Sequence, residues 1–282
     1  HRQCRRQRQM CIRDRDFGIS NTDIAISDKN SIAFHSSPSQ STKINAGTLK
    51  KILDKYELDM SAVKKIGVTG GKSSDLDDSL DGIEIVKINE IEAIGLGAKK
   101  LYSIEDEPTL VVSAGTGTAC VHIQENNFNH LGGIAVGGGM LEGLGSLLFK
   151  NSNGLEINEF AKQGSRAELD LLIGDVVNKI GNLSPEITAV NFGQAKNSSA
   201  DTIENTSAAL CNMIGEIIGT VAYLNALLVG SEKACFIGRT SYLSEIIDGI
   251  NQRLELAGIE GQYCDNREYG NVIGVLESIQ SN

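Results

Sequence analysis

Four short stretches of this 282-residue chain have the composition of a backbone that closes on an anion: Asp16-Phe17-Gly18, Gly70-Gly71, Gly115-Thr116-Gly117-Thr118 and Gly137-Gly138-Gly139. Glycine permits close approach and positive φ, so several N–H groups can point at one phosphate. In GGGMLEGLGSLL the glycine run leads into a helical pattern, whose N-terminal dipole would add to the attraction. A single glycine turn is ordinarily structural. Four of them, each placed where a strand ends, weigh together as a phosphate-binding design.

Two common phosphate fingerprints are absent. Residues 67–73, GVTGGKS, imitate a P-loop, but the pattern needs a glycine at position 66, where the chain has Ile66. A three-residue gap cannot form that nest. No G-x-G-x-x-G follows the first strand, which excludes the dinucleotide fingerprint.

The composition is that of an ordinary globular protein, 40% apolar and 22% charged. The net charge of −10 is uneven. Residues 1–15 carry six Arg and one Asp, so the remainder carries −15, which argues against a nucleic-acid partner. HRQCRRQRQMCIRDR has no periodicity and no apolar face, and is expected to be a non-native leader standing where the strand before Asp16 belongs. No apolar run approaches the roughly 20 residues of a membrane span, and no h-region follows the basic start. The six cysteines form no CxxC pair and no zinc-spaced cluster, so reduced, buried thiols and a cytoplasmic location are expected. Cys120 and Cys211 have no base beside them and read as core.

These loops need elements to hold them. Residues 22–27 and 31–34 alternate about Asp28-Lys29-Asn30, a hairpin signal, and 36–41 reads as a polar loop. Helical spacing appears at Leu49, Ile52, Leu53 and Tyr56. KKIGVTGG and GIEIVKI read as strands, and NEIEAIGLGAKKLY as a helix with Asn89 as N-cap. After a polar linker at 103–108 the pattern starts again: TLVVSAGTGTACVHI is strand, turn, strand, and HLGGIAVGGGMLEGLGSLLF is strand, glycine run, helix. Further helices are expected at 155–163, 167–180, 201–228, 241–257 and 270–280, with strands at KACFIG and GQYC. The expected organisation is an α/β chain of two related halves, 16–105 and 106–282, whose last helix could pack back on the first half.

DFGIS, VTGG, NEIEAIGLG, SAGTGT, HLGGIAVGGGMLEGLGSLL, AVNFG, FIG and YGNVIGVL occur in the order found in type II pantothenate kinases, and from Asp16 to about Leu276 the chain resembles that family. The family belongs to the actin-like ATPase superfamily, with acetate and sugar kinases and actin. The resemblance implies two actin-like (ribonuclease H-like) domains with a nucleotide cleft between them, ATP and Mg²⁺ as cofactors, and pantothenate as the phosphate acceptor in coenzyme A biosynthesis. It implies a first phosphate loop of Asp16, Gly18 and Ser20, with Asp16 near the metal through water, and a second loop of Gly115, Thr116, Gly117 and Thr118. Gly137, Gly138 and Gly139 would cradle the nucleotide, and Gly238 and Arg239 would lie near the adenosine. The apolar helix at 206–228 resembles the part that forms the family's homodimer.

Glu90 resembles the family's catalytic base, with Glu92 and Gly97 at the family's spacing. Phosphoryl transfer to an alcohol needs a carboxylate within reach of the hydroxyl, and cations on the γ-phosphate. The competing reading places Glu90 in a helix's first turn, where it complements the dipole. Many family members carry an Arg just before the GG run, on the substrate side; here the residue is His130, which cannot replace a permanent forked cation. Lys72 and Arg239 are the alternative cations. By resemblance Asn191 lines the substrate side, a turn role being the alternative, while His122 reads as a strand residue. The rival functions are a kinase of another hydroxyl substrate such as an amino sugar, an ATP-driven dehydratase activator, and a non-catalytic ATP- or acyl-CoA-binding relative. The scattered thiols argue against the activator, which holds an iron–sulfur cluster.

Overall fold

The structure is a computed structural model that describes residues 10–17, 21–28, 31–39, 45–56, 60–71, 73–177, 184–197 and 199–281. It divides into two compact units. One runs to Glu105 and resumes at Asp265; the other is Asp106–Cys264.

The first unit is built on a six-stranded sheet of order β3-β2-β1-β4-β6-β5. Its strands are β1 Met10–Phe17, β2 Asn21–Asp28, β3 Ile32–Pro38, β4 Lys65–Thr69, β5 Ser79–Leu80 and β6 Ile83–Lys87. Helix α1, Ala46–Lys55, follows β3, and α2, Glu90–Tyr102, follows β6. The expected hairpin forms, with Ser27 opposite Ile32, but β3 runs to Pro38 into the stretch read as loop. The stretch standing where the strand before Asp16 belongs is itself a strand from Met10 onward, β1. It pairs antiparallel with β2 and parallel with β4. Backbone pairing is indifferent to side-chain charge, and without a strand in this slot β2 and β4 would each leave a row of unpaired backbone groups.

Period-2 alternation sets the two faces of this sheet. Ile66, Val68 and Ile85 point to one face and pack with Leu49 and Leu53 of α1. Each buried Leu or Ile is worth about 1.5–3 kcal/mol, more than the helix's own propensity supplies. The other face receives α8, Gly270–Ser281, the chain's last helix. Val275 and Ile279 pack with Ile88 and Ala93, and Val272 and Leu276 with Ala25. Phe34 stacks on Tyr269, just before α8, at 4.7 Å. The last helix and the residues before it, from Asp265, thus cluster with the first unit, the packing back on the first half that the division at 106 had left open.

The second unit carries a five-stranded sheet of order β13-β12-β7-β8-β9. It begins with β7 Thr109–Ala114, β8 Thr118–Gln124, β9 Asn127–Ile134, α3 Gly138–Phe149 and α4 Gly154–Ala161. The expected helix over 167–180 does not form as one element over 167–177, and 178–180 lie outside the described residues. A 3₁₀ turn at Arg166–Glu168 leads to β10 Leu171–Leu172 and a single-turn helix α5 Ile173–Val176, and β10 pairs with β11 Thr188–Val190. Asp170, fully buried before β10, binds across to the residues after β11 and so competes with helix continuation.

The long helix α6, Ile203–Val229, follows, then β12 Lys233–Ile237, α7 Ser244–Glu255 and β13 Glu260–Gln262. By length and composition α6 could cross a membrane. It is instead a core helix on one face, where Leu210, Ile214, Ile218 and Ala222 pack with Phe236, Ile246 and Ile250. Its glycines let α7 close on it: a methyl group on Gly219 would lie 2.6 Å from the Ile250 carbonyl oxygen.

Candidate active site

In the first unit the carboxyl ends of parallel strands bring three segments to one edge of the sheet. Asp16 is the Cα partner of Thr69 in the β1–β4 ladder. Val68 is the partner of Lys87 on β6, and the Ile88 amide still donates to the Val68 carbonyl at 2.8 Å. Asn89 then caps α2, its side chain accepting from the Ile91 amide at 2.9 Å. The ends of β1, β4 and β6 therefore bring Asp16, Thr69 and the start of α2, with Glu90, to the edge of the sheet where ligands of open α/β sheets bind. Glu90 is exposed on the first turn of α2. Glu92, by contrast, accepts from the Ser278 hydroxyl on α8 at 3.1 Å. Gly18, Ser20 and Lys72 lie outside the described residues.

In the second unit three loops converge: the β7–β8 turn, the start of α3, and the turn after β12. Gly115 N–H donates to the Gly117 carbonyl at 2.9 Å, closing the first. The amides of α3 do not fan outward. Gly138 N–H donates to Gly115 O at 2.9 Å and to Thr240 Oγ at 3.0 Å, and Gly139 N–H donates to Thr116 O at 3.0 Å. Met140 and Leu141 both donate to Gly137 O. The first-turn donors of α3 thus clamp the β7–β8 turn.

The space around each glycine separates two roles. A methyl group on Gly137 would lie 2.6 Å from Gly115 O, and one on Gly139 2.5 Å from Thr116 Cγ. Gly238 has φ 92°, and a methyl there would overlap the Ala114 carbonyl. These are glycines because the protein's own backbone meets them. Around Gly115 and Gly117 a methyl would meet nothing nearer than 3.9 and 3.4 Å. Packing does not require glycine at either place, whereas close approach of a ligand to the backbone does. The turn 115–118 is thus open to an outside group, with the glycine run packed behind it.

The remaining candidates are dispersed. His130 is exposed on the sheet's edge strand β9, paired with Val121 across a bulge that leaves Leu131 unmatched. Asn191 donates to the buried Glu216 carboxylate at 2.8 Å, which gives it a structural partner. Arg239 opens the 3₁₀ turn Arg239–Tyr242 and is partly buried. His122 lies within β8, as read. Burial pushes the Cys120 thiol up to about 11 and those of Cys211 and Cys235 up to about 12, so none is a ready nucleophile at neutral pH. Glu142, inside the GGGMLEGLG stretch, is pushed up by burial against a hydrogen bond from the Gly154 amide.

Three features were not singled out from the sequence. Thr69 is fully buried and its hydroxyl has no hydrogen-bond partner among the described residues. Thr240 is buried between two loops. Asp170 accepts from the Phe192 amide at 2.7 Å and from Asn212 at 3.2 Å, with Arg166 at 3.8 Å. Burial pushes its carboxyl up to about 6, Phe192 and Arg166 pull it down, and Glu216 pushes it up. Glu216 is itself paired with Arg253 at 2.9 Å. The partners of Thr240 and Asp170 lie far from them in sequence, which no local pattern records. An open depression of about 300 Å³ beside Arg166 and Asn212 is lined by none of the residues selected from the sequence.

The fold is that of the actin-like ATPases. The chain matches an activator of 2-hydroxyisocaproyl-CoA dehydratase from Clostridium difficile with bound ADPNP at TM-score 0.60 and 16% identity, over 96% of this chain and 97% of that one. It matches a ROK family glucokinase from Streptomyces griseus, in complex with glucose and AMPPNP, at TM-score 0.58 and 11% identity, over 97% and 100%. The sequence model of the Fumble family matches residues 14–246. The chain belongs to that family, the type II pantothenate kinases. A type II pantothenate kinase of Oceanobacillus iheyensis is 33% identical over 64% of this chain and 69% of its own length. One from Bacillus cereus is 30% identical over 80% and 81%.

Proposed function

We propose that this protein transfers the γ-phosphoryl group of ATP to the primary hydroxyl of pantothenate, giving 4′-phosphopantothenate for coenzyme A synthesis. The observation that carries the reading is the turn 115–118, whose two glycines face no crowding protein atoms, in a chain of this family. The acceptor is taken from the relatives' named activity.

The backbone of 115–118 would hold the phosphates, with Gly238 and Arg239 toward the adenosine. Glu90 would take the proton of the attacking hydroxyl, for which an exposed carboxylate on a helix's first turn is suited. Mg²⁺, when bound with ATP, spreads the charge of the transferring group. A nucleotide-borne Mg²⁺ asks for one or two carboxylates besides the phosphates, and by the family resemblance Asp16, near the end of β1, would supply one. His130 and Asn191 would stand on the acceptor side. His130 in place of Arg leaves less fixed positive charge there, so the acceptor is the part of the proposal that the assay must decide. A homodimer would form through α6, whose Leu224, Leu227 and Leu228 are 53, 57 and 75% exposed.

The test is incubation with ATP and pantothenate, read by mass spectrometry, with Glu90→Gln alongside. Phosphopantothenate from the parent and little from the variant supports both the reaction and the base. No product from a protein that binds ATP removes pantothenate as acceptor and turns the search to other alcohols, amino sugars first.

A further inference from the structure

We infer that Thr240 is the positioning residue that fixes the phosphate-binding turn 115–118, an inference that rests on the kinase reading of that turn. Its hydroxyl donates to the Gly115 carbonyl at 2.7 Å and accepts from the Gly138 amide at 3.0 Å. The Gly138 amide also reaches Gly115 O at 2.9 Å. Three groups from three loops therefore close a ring of hydrogen bonds, and Thr240 is the only side chain in it.

The chain invests several residues in delivering this hydroxyl. Gly238 turns the end of β12 over the end of β7, where any side chain would overlap Ala114. Ser241, fully buried, donates from its hydroxyl to the Gly238 carbonyl at 2.6 Å, and the Leu243 amide donates to the Thr240 carbonyl at 3.2 Å. Thr240 itself is 3% exposed, and its β-branched side chain has restricted χ1 freedom. The hydroxyl also occupies the space a methyl on Gly138 would need, 2.9 Å away.

The geometry separates a positioning role from a purely structural one. If the hydroxyl is removed, the Gly138 amide keeps Gly115 O and the Gly115 carbonyl keeps Gly138 N–H, so neither is left unpaired. The loss of stability is then modest, whereas the turn loses its third anchor.

The experiment compares the full chain with Thr240→Val, which keeps the shape, and Thr240→Ser, which keeps the hydroxyl. Three readouts are taken: affinity for a non-hydrolysable ATP analogue, KM for ATP against KM for pantothenate, and amide hydrogen exchange at residues 115–118 and 138. Thr240→Val should weaken the analogue and raise KM for ATP about ten-fold, with KM for pantothenate little changed, and should speed exchange in the turn; about ten-fold corresponds to ~1.4 kcal/mol. Thr240→Ser should restore both. Parental affinity and exchange in Thr240→Val overturn the inference, as does equal damage in both variants with a collapsed melting temperature. If the parent binds no nucleotide, the kinase reading fails. Exchange alone then decides the tether: faster exchange at 115–118 in Thr240→Val than in Thr240→Ser upholds it, and equal exchange removes it.

Discussion

Gly97 on α2 and Gly274 on α8 lie back to back. A methyl group on Gly97 would overlap the Gly270 carbonyl, and one on Gly274 would overlap the carbonyl of Ala93. The glycine seven residues after Glu90 is therefore a packing residue. It lets α8 seat against α2, and α2 carries Glu90 on its first turn. The second unit crosses α6 and α7 by the same device at Gly215, Gly219 and Gly249.

Gly97→Ala and Gly274→Ala should each destabilise the protein by about 2–4 kcal/mol, because two helix backbones must separate to admit a methyl. Denaturant melts of the full chain check this. Gly143→Ala is the control, since a methyl at Gly143 on α3 meets nothing within 4 Å. Its stability should match or exceed the parent's.

Glu90→Gln should lower kcat by about 10²–10⁴-fold if Glu90 is the base. Melting temperature and ATP affinity should change little, because the side chain is exposed. A fall in stability of up to ~1 kcal/mol with normal turnover would mean that Glu90 only complements the dipole of α2. Calorimetry and steady-state kinetics on one preparation separate the two.

The two glycine classes should respond in opposite ways. Gly115→Ala and Gly117→Ala should leave the melting temperature within a few degrees of the parent and weaken nucleotide binding. Gly137→Ala and Gly139→Ala should lose about 1–3 kcal/mol of stability, because the new methyl meets Gly115 O or the Thr116 side chain. Melts and nucleotide titrations across the four variants test the division.

Asp170 should make stability pH-dependent. Burial raises its folded pKa to about 6, well above the ordinary aspartate range, so the folded state holds the proton more tightly than the unfolded chain. The associated stabilisation is complete below about pH 4 and is lost as pH rises through 6, on the order of 3 kcal/mol. Asp170→Asn removes the titration. Its denaturant midpoint should vary less than the parent's between pH 4.5 and 7, whatever its absolute stability.

Much of the fold was legible because periodicity follows local geometry. The hairpin of β2 and β3 and helices α1, α2, α6 and α8 show period 2 or 3.6 in their apolar residues, while β4, β7 and β12 are short buried runs that end at glycine turns. The helix expected over 167–180 failed where a buried carboxylate, Asp170, forms bonds to residues twenty positions on, which no local pattern records. The strand formed by the charged stretch before Asp16 was not legible, because a slot between β2 and β4 is defined by backbone pairing, not by side chains.

By itself the sequence determined the α/β class, the family and the places where backbone turns on glycine, since each follows from residue type and spacing along the chain. Tertiary structure alone decided which glycines serve packing and which face open space, because that depends on atoms of distant segments. It also decided that α8 returns to the first unit, and that the hydroxyl of Thr240 holds Gly115 and Gly138, residues more than a hundred positions away in the chain.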